Sequence, residues 1–69
     1  MSDETEFGRH IVANGGWIFD TVGAFYESEL AARRHMLANG WLERSRRDGR
    51  ITLELTDAGR AWLAKQEAQ

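Results

Sequence analysis

Apolar and polar positions change period several times along this chain, and each change marks an element. Between Thr5 and Ala13, Phe7 and Ile11 stand four apart with Val12 beside them, the stripe of a short helix. Glu4 and Glu6 suit its positive N-terminus, and residues 1–4 are expected to be frayed and disordered. Asn14-Gly15-Gly16 stops it. Residues 17–26 are almost wholly apolar, and periodicity leaves helix and strand both open there. With Asp20 and Thr21 as caps and Gly23 as a turn, the reading favoured is a short helix or helical turn over 17–23, supplying much of the core.

A second helix is predicted over 28–38, with Ser28 as its N-cap and Glu29 in the first turn. Tyr26, Leu30, Leu37 and Trp41 fall close to one face. Arg33, Arg34 and His35 cover the rest of the circumference, and Asn39-Gly40 ends the helix. Two strands follow, Trp41–Ser45 and Arg50–Leu55. In the second, Ile51, Leu53 and Leu55 alternate with Arg50, Thr52 and Glu54, which predicts a buried face and a wet one. Between the strands Arg46-Arg47-Asp48-Gly49 carries Asp-Gly, a strong hairpin signal because the turn needs positive φ. Thr56 caps a last helix from Asp57 to about Lys65, with Leu55, Ala58, Trp62 and Leu63 on its apolar side. Gly59 in its first turn costs about 1 kcal/mol against alanine and suggests close approach to other backbone.

Sixty-nine residues make one domain, 1–69, with a small core. No cysteine is present, so stability rests on apolar packing, for which three tryptophans and three phenylalanines are suited. No stretch approaches a membrane span and the first residues are acidic, so the expected location is cytoplasmic with no membrane partner. The net charge of −2 hides a segregation. Residues 1–30 carry one arginine against six acids, whereas residues 31–50 carry six arginines against two. A basic segment inside an acidic chain can form a local electrostatic footprint.

The run Leu37-x-x-Gly40-Trp41-Leu42-Glu43-Arg44, then Asp48-Gly49-Arg50, then Leu53-x-Leu55-Thr56-x-x-Gly59-Arg60 resembles the second half of the winged helix-turn-helix domains of bacterial regulators, most of all the MarR and PadR types. The resemblance covers roughly residues 28–63. The fold it implies is a small α+β winged helix-turn-helix: three helical segments, a two-stranded β-hairpin wing and a C-terminal helix. The first half departs from the pattern. If Gly23 were the turn glycine, the expected alanine would fall on Phe19 and a core position on Glu29. The long dimerisation helices of MarR proteins have no counterpart either.

What the resemblance implies is double-stranded DNA as the leading partner, for a small bacterial or phage transcriptional regulator or accessory factor. Arg33, Arg34 and His35 would contact the duplex from helix 28–38, and Arg44, Arg46, Arg47 and Arg50 from the wing. The arginine fork suits both guanine edges and phosphates. Six cationic contacts give an expected log–log salt slope of about −5. That mode requires the helix and wing arginines to point the same way. The bland alternative is that Arg33 and Arg34 pair with Glu29 or Glu43 as surface ion pairs. A monomer would meet one half-site, so a homodimer or larger complex is expected. The alternative function is a protein-interaction winged helix, an adaptor or inhibitor, with the acidic third facing a basic partner. No catalytic constellation, cofactor loop or metal cluster is legible: His10 and His35 lie on separate helices, and Gly15-Gly16 lacks the residues of a phosphate loop.

Overall fold

The computed structural model describes residues 2–68; Met1 and Gln69, the ends of the expected 1–69 domain, lie outside the described residues. It contains α1 (Asp3–Ala13), β1 (Trp17–Phe19), a single 3₁₀ turn (Val22–Ala24), α2 (Glu27–Ala38), β2 (Leu42–Arg47), β3 (Arg50–Leu55) and α3 (Asp57–Glu67). The class is α+β, three helices on a three-stranded antiparallel sheet of order β1-β3-β2. The sequence predicts only two strands.

Helix α1 starts earlier than its apolar stripe. Ser2 Oγ accepts from the Thr5 amide at 3.2 Å, and Asp3, Glu4 and Glu6 fill the electropositive first turn. Residues 2–4 form the capped start of α1, with Ser2 as the cap and Asp3 and Glu4 in the first turn. Phe7 and Ile11 point into the core, while Val12 is exposed.

The apolar run after Gly16 is not a helical turn over 17–23. Residues 17–19 extend as β1 and pair with β3, Trp17 opposite Glu54, Ile18 opposite Leu53 and Phe19 opposite Thr52. Only Val22–Ala24 coils. The physical reason is the free edge of β3, whose amides and carbonyls need partners and can take them from a strand but not from a helix. Because all three residues of β1 are apolar, the period-2 signature is invisible in sequence.

Helix α2 is capped differently from the expectation. Tyr26 is the N-cap, and the Glu29 carboxylate reaches back to accept its amide at 2.9 Å, so Ser28 lies inside the first turn. The face is also rotated. Ala32 and Met36 are the buried residues, Leu30 and Leu37 are half-buried, and Tyr26 is 79% exposed. Alanine permits close approach of the helix, and unbranched methionine fills the remaining space. Gly40, at φ +74°, ends the helix as expected: its amide donates to Leu37 O (3.1 Å) and that of Trp41 to Met36 O (2.9 Å).

Strand β2 extends two residues further than predicted, drawing Arg46 and Arg47 into the ladder opposite Ile51 and Arg50. The connection is then two residues long. Asp48 and Gly49 both take positive φ, 53° and 75°, the requirement of the tightest hairpin turn. Leu42, Leu53, Leu55 and Ile18 share the inner face with Phe7, Ile11, Ala32, Met36 and Leu63 in one core. The predicted alternation of β3 fails at two positions. Ile51 is 44% exposed and Thr52 is fully buried. Ile51 lies on the inner face near the hairpin tip, beside exposed Arg44 and Arg46. Thr52 lies on the outer face, between Phe19 and Ser45 in the register.

Thr56 joins the two halves of the hairpin segment. Its amide donates to Trp41 O (3.0 Å), its hydroxyl donates to Gly40 O (2.6 Å) and accepts from the Gly59 amide (3.0 Å), capping α3. A Cβ on Gly59 would overlap the Trp41 carbonyl oxygen and lie 2.9 Å from its carbon. Glycine is required there by packing, and the spacing Gly40…Thr56-x-x-Gly59 has a local cause. Trp41 and Trp62 then stack at 4.2 Å beside this crossing.

Candidate nucleic-acid interface

The seven basic residues singled out from sequence do not form one surface. Arg33 is held by Asp20, which follows β1. Nε donates to Oδ1 at 2.8 Å and an Nη to Oδ2 at 2.6 Å, with the arginine side chain 16% and the aspartate 6% exposed. This two-bonded pairing pushes the Arg33 pKa further up. Its partner is neither Glu29 nor Glu43. Arg34, one position on, is exposed. His35 Nδ1 lies 3.0 Å from a Glu4 carboxylate oxygen and its ring meets the edge of Trp41 at 5.9 Å. The hydrogen bond to His35 lowers the Glu4 pKa.

Strand alternation divides the hairpin arginines. Arg44 and Arg46 share the inner face with Leu53 and Ile51, and line a shallow hollow with Ser45. Arg47 and Arg50 oppose one another on the outer face, flanking the turn. There each lies over an aromatic ring of β1: Arg47 4.4 Å from the Trp17 centroid, Arg50 3.8 Å from that of Phe19. The two rings meet edge to face at 5.0 Å. Glu54 lies 3.7 Å from Arg47 on the same face. The condition set for duplex contact through helix and wing together, that Arg33, Arg34, Arg46, Arg47 and Arg50 point one way, is therefore not met. A period of two puts Arg46 and Arg47 on opposite faces, and a carboxylate turns Arg33 inward.

Sequence reasoning missed Asp20, Trp17 and Phe19 as the groups that act on these arginines. The i, i+2 aromatic spacing of Trp17 and Phe19 was the available signal, and it carries meaning only once 17–19 is known to be a strand. At the opposite charge extreme, Asp3, Glu6 and Glu29 line a cleft of about 180 Å³ with His10 and Tyr26 between the N-terminal turns of α1 and α2. No helix of the described residues is long and apolar enough to cross a membrane. No protein-family model matches the chain, and a comparison with curated proteins gave no significant match.

Proposed function

We propose that the chain is a winged helix-turn-helix domain of a cytoplasmic transcriptional regulator or accessory factor that binds duplex DNA through α2 and the β2–β3 hairpin. The observation that carries this is the hairpin itself. Four exposed arginines, Arg44, Arg46, Arg47 and Arg50, crowd a two-residue turn directly after a helix that exposes Arg34. Like charges this dense are costly on a folded protein, and an anionic partner relieves them. Within residues 28–63 the order α2, β2, β3, α3 is the one the resemblance implies, whereas the third strand β1 and the single 3₁₀ turn before α2 depart from it.

Arg33 and His35 have internal partners, so base contact falls mainly to Arg34 and phosphate contact to the hairpin. Five cations give an expected log–log salt slope of about −4.5. A duplex titration at several salt concentrations, wild type against Arg46→Ala/Arg47→Ala, tests this. The double variant should lower the slope magnitude by about 2. Absence of salt-sensitive binding at low ionic strength would rule the function out.

One observation favours a second reading. Tyr26 stands 79% exposed at the rim of the acidic cleft, with Val22 46% exposed nearby in sequence, an arrangement suited to protein contact. In that case the domain is an adaptor or inhibitor, and a protein partner is captured without DNA binding.

A further inference from the structure

We infer that Trp17 and Phe19 are positioning residues for a phosphodiester contact: their rings hold Arg47 and Arg50 as two pre-formed guanidinium forks on the outer face of the hairpin. The inference rests on the duplex-binding function and specifies how half of its hairpin contact is built.

Arg47 and Arg50 are direct cross-strand partners next to the turn, and like charges directly opposite destabilise a ladder. Nothing about a two-residue turn requires them there. What the structure supplies is a separate ring for each, 4.4 Å and 3.8 Å away. The rings come from alternate residues of β1, so both project from the outer face, and β3 lies between them and β2. A ring takes one face of a guanidinium and leaves the N–H edge free, and that edge matches a phosphate's oxygens. The Glu54 carboxylate lies 3.7 Å from an Arg47 Nη, beyond hydrogen-bond reach, so the edge stays open although a phosphate must compete with that charge. Arg44 and Arg46, on the inner face, have neither ring nor carboxylate partner among the described residues. An unrestrained arginine must lose its rotamer freedom when it binds, whereas a stacked one has lost much of it beforehand. The simpler account is that the arginines merely cover the rings and act on DNA, if at all, as point charges.

The two accounts part at lysine, which keeps the charge and the apolar stem but lacks the planar fork. Duplex affinity is measured by fluorescence anisotropy at three salt concentrations for wild type, R47K/R50K, R47Q/R50Q, Phe19→Leu and Phe19→Tyr. R47K/R50K should bind roughly tenfold more weakly at an unchanged salt slope, because charge is kept and pre-organisation lost. R47Q/R50Q should lower the slope magnitude by about 2. Phe19→Leu should weaken binding severalfold at constant slope, and Phe19→Tyr, which restores a ring, should bind as wild type. Both arginines are exposed, so the lysine pair tests the idea even if Phe19→Leu fails to fold. Wild-type affinity in R47K/R50K, with weaker binding in R47Q/R50Q, overturns the role of the rings and leaves duplex binding standing. Wild type that shows no salt-dependent binding overturns both.

Discussion

Replacing Arg33 by glutamine should cost stability and leave DNA binding nearly untouched, the reverse of what its place among the basic residues of the sequence suggests. In the folded chain its guanidinium makes two charge-assisted hydrogen bonds to Asp20, 2.8 and 2.6 Å long. Each such bond contributes about 1.5–3 kcal/mol net, and breaking a fully buried pair costs about 3–5 kcal/mol. Asp20 is nearly buried but Arg33 keeps 16% of its side-chain surface, so water partly screens the pair and the cost falls to about 2 kcal/mol. A domain of this size has only about 3–10 kcal/mol to lose, and a loss of 2 lowers Tm by roughly 8–16 °C. Urea denaturation of Arg33→Gln, Asp20→Asn and the double variant should give a coupling energy above about 1 kcal/mol. The hydrogen bonds to Asp20 raise the Arg33 pKa above its ordinary value. A raised pKa gives stability that is present below the unfolded value and lost as pH climbs through the folded one, so nothing is lost between pH 5 and about pH 10. A variant within 0.5 kcal/mol of wild type refutes the structural role. A fall of about 1 in the DNA salt slope would show instead that Arg33 leaves Asp20 for a phosphate.

Three further outcomes are expected. Gly59→Ala should destabilise by about 1–3 kcal/mol in urea melts, since overlap with the Trp41 carbonyl outweighs the helix preference of alanine; equal or higher stability would contradict the close crossing. Thr52→Val should stabilise by about 1 kcal/mol, because the fully buried Thr52 hydroxyl has no hydrogen-bond partner among the described residues; a lower Tm would mean that the hydroxyl is bonded. Glu4, whose pKa the hydrogen bond to His35 lowers, contributes stability present above its unfolded value near 4.5 and lost as pH falls through the folded one. Wild type should therefore lose more stability than Glu4→Gln between about pH 5 and pH 3, and superimposable pH profiles in urea titrations would dismiss the contact.

What could be read from sequence was local, and what could not was long-range. The Asp48-Gly49 turn, the Gly40 stop and the Thr56 cap are each set by residues within a few positions, and all three stand as predicted. The Ser28 cap fails because Glu29, reaching back to Tyr26, completes the turn without a capping side chain at 28. Strand β1 was hidden because its partners lie more than thirty residues away in β3. Ile51 is exposed on the inner face near the hairpin tip and Thr52 is buried on the outer face between Phe19 and Ser45 of the flanking strands, and the pattern of a single strand contains neither. The candidate site suffers most from this. Asp20 and Arg33 are 13 residues apart, and only the path of the chain around the 3₁₀ turn makes them an ion pair.

The division of the hairpin arginines changes the geometry of the proposed contact rather than removing it. A flat basic face would lie along one phosphate strand. A ribbon with Arg44 and Arg46 on one side and Arg47 and Arg50 on the other presents cations in two directions, with Asp48 and Gly49 at its tip. The minor groove is about 6 Å wide with phosphates along both walls. A hairpin whose tip points at the mouth of that groove, without the ribbon entering it, has a phosphate wall on each side, so two-sided charge fits that approach and a one-sided patch does not. In this mode the two pairs act on different strands and contribute separately. Arg44→Gln/Arg46→Gln and Arg47→Gln/Arg50→Gln should each reduce the salt-slope magnitude by about 2, and together by about 4. Nicked or gapped duplexes that lack phosphates on one wall should lose sensitivity to one pair only. If both pairs respond to the same missing phosphates, the hairpin lies flat on a single strand and the tip-first geometry is wrong.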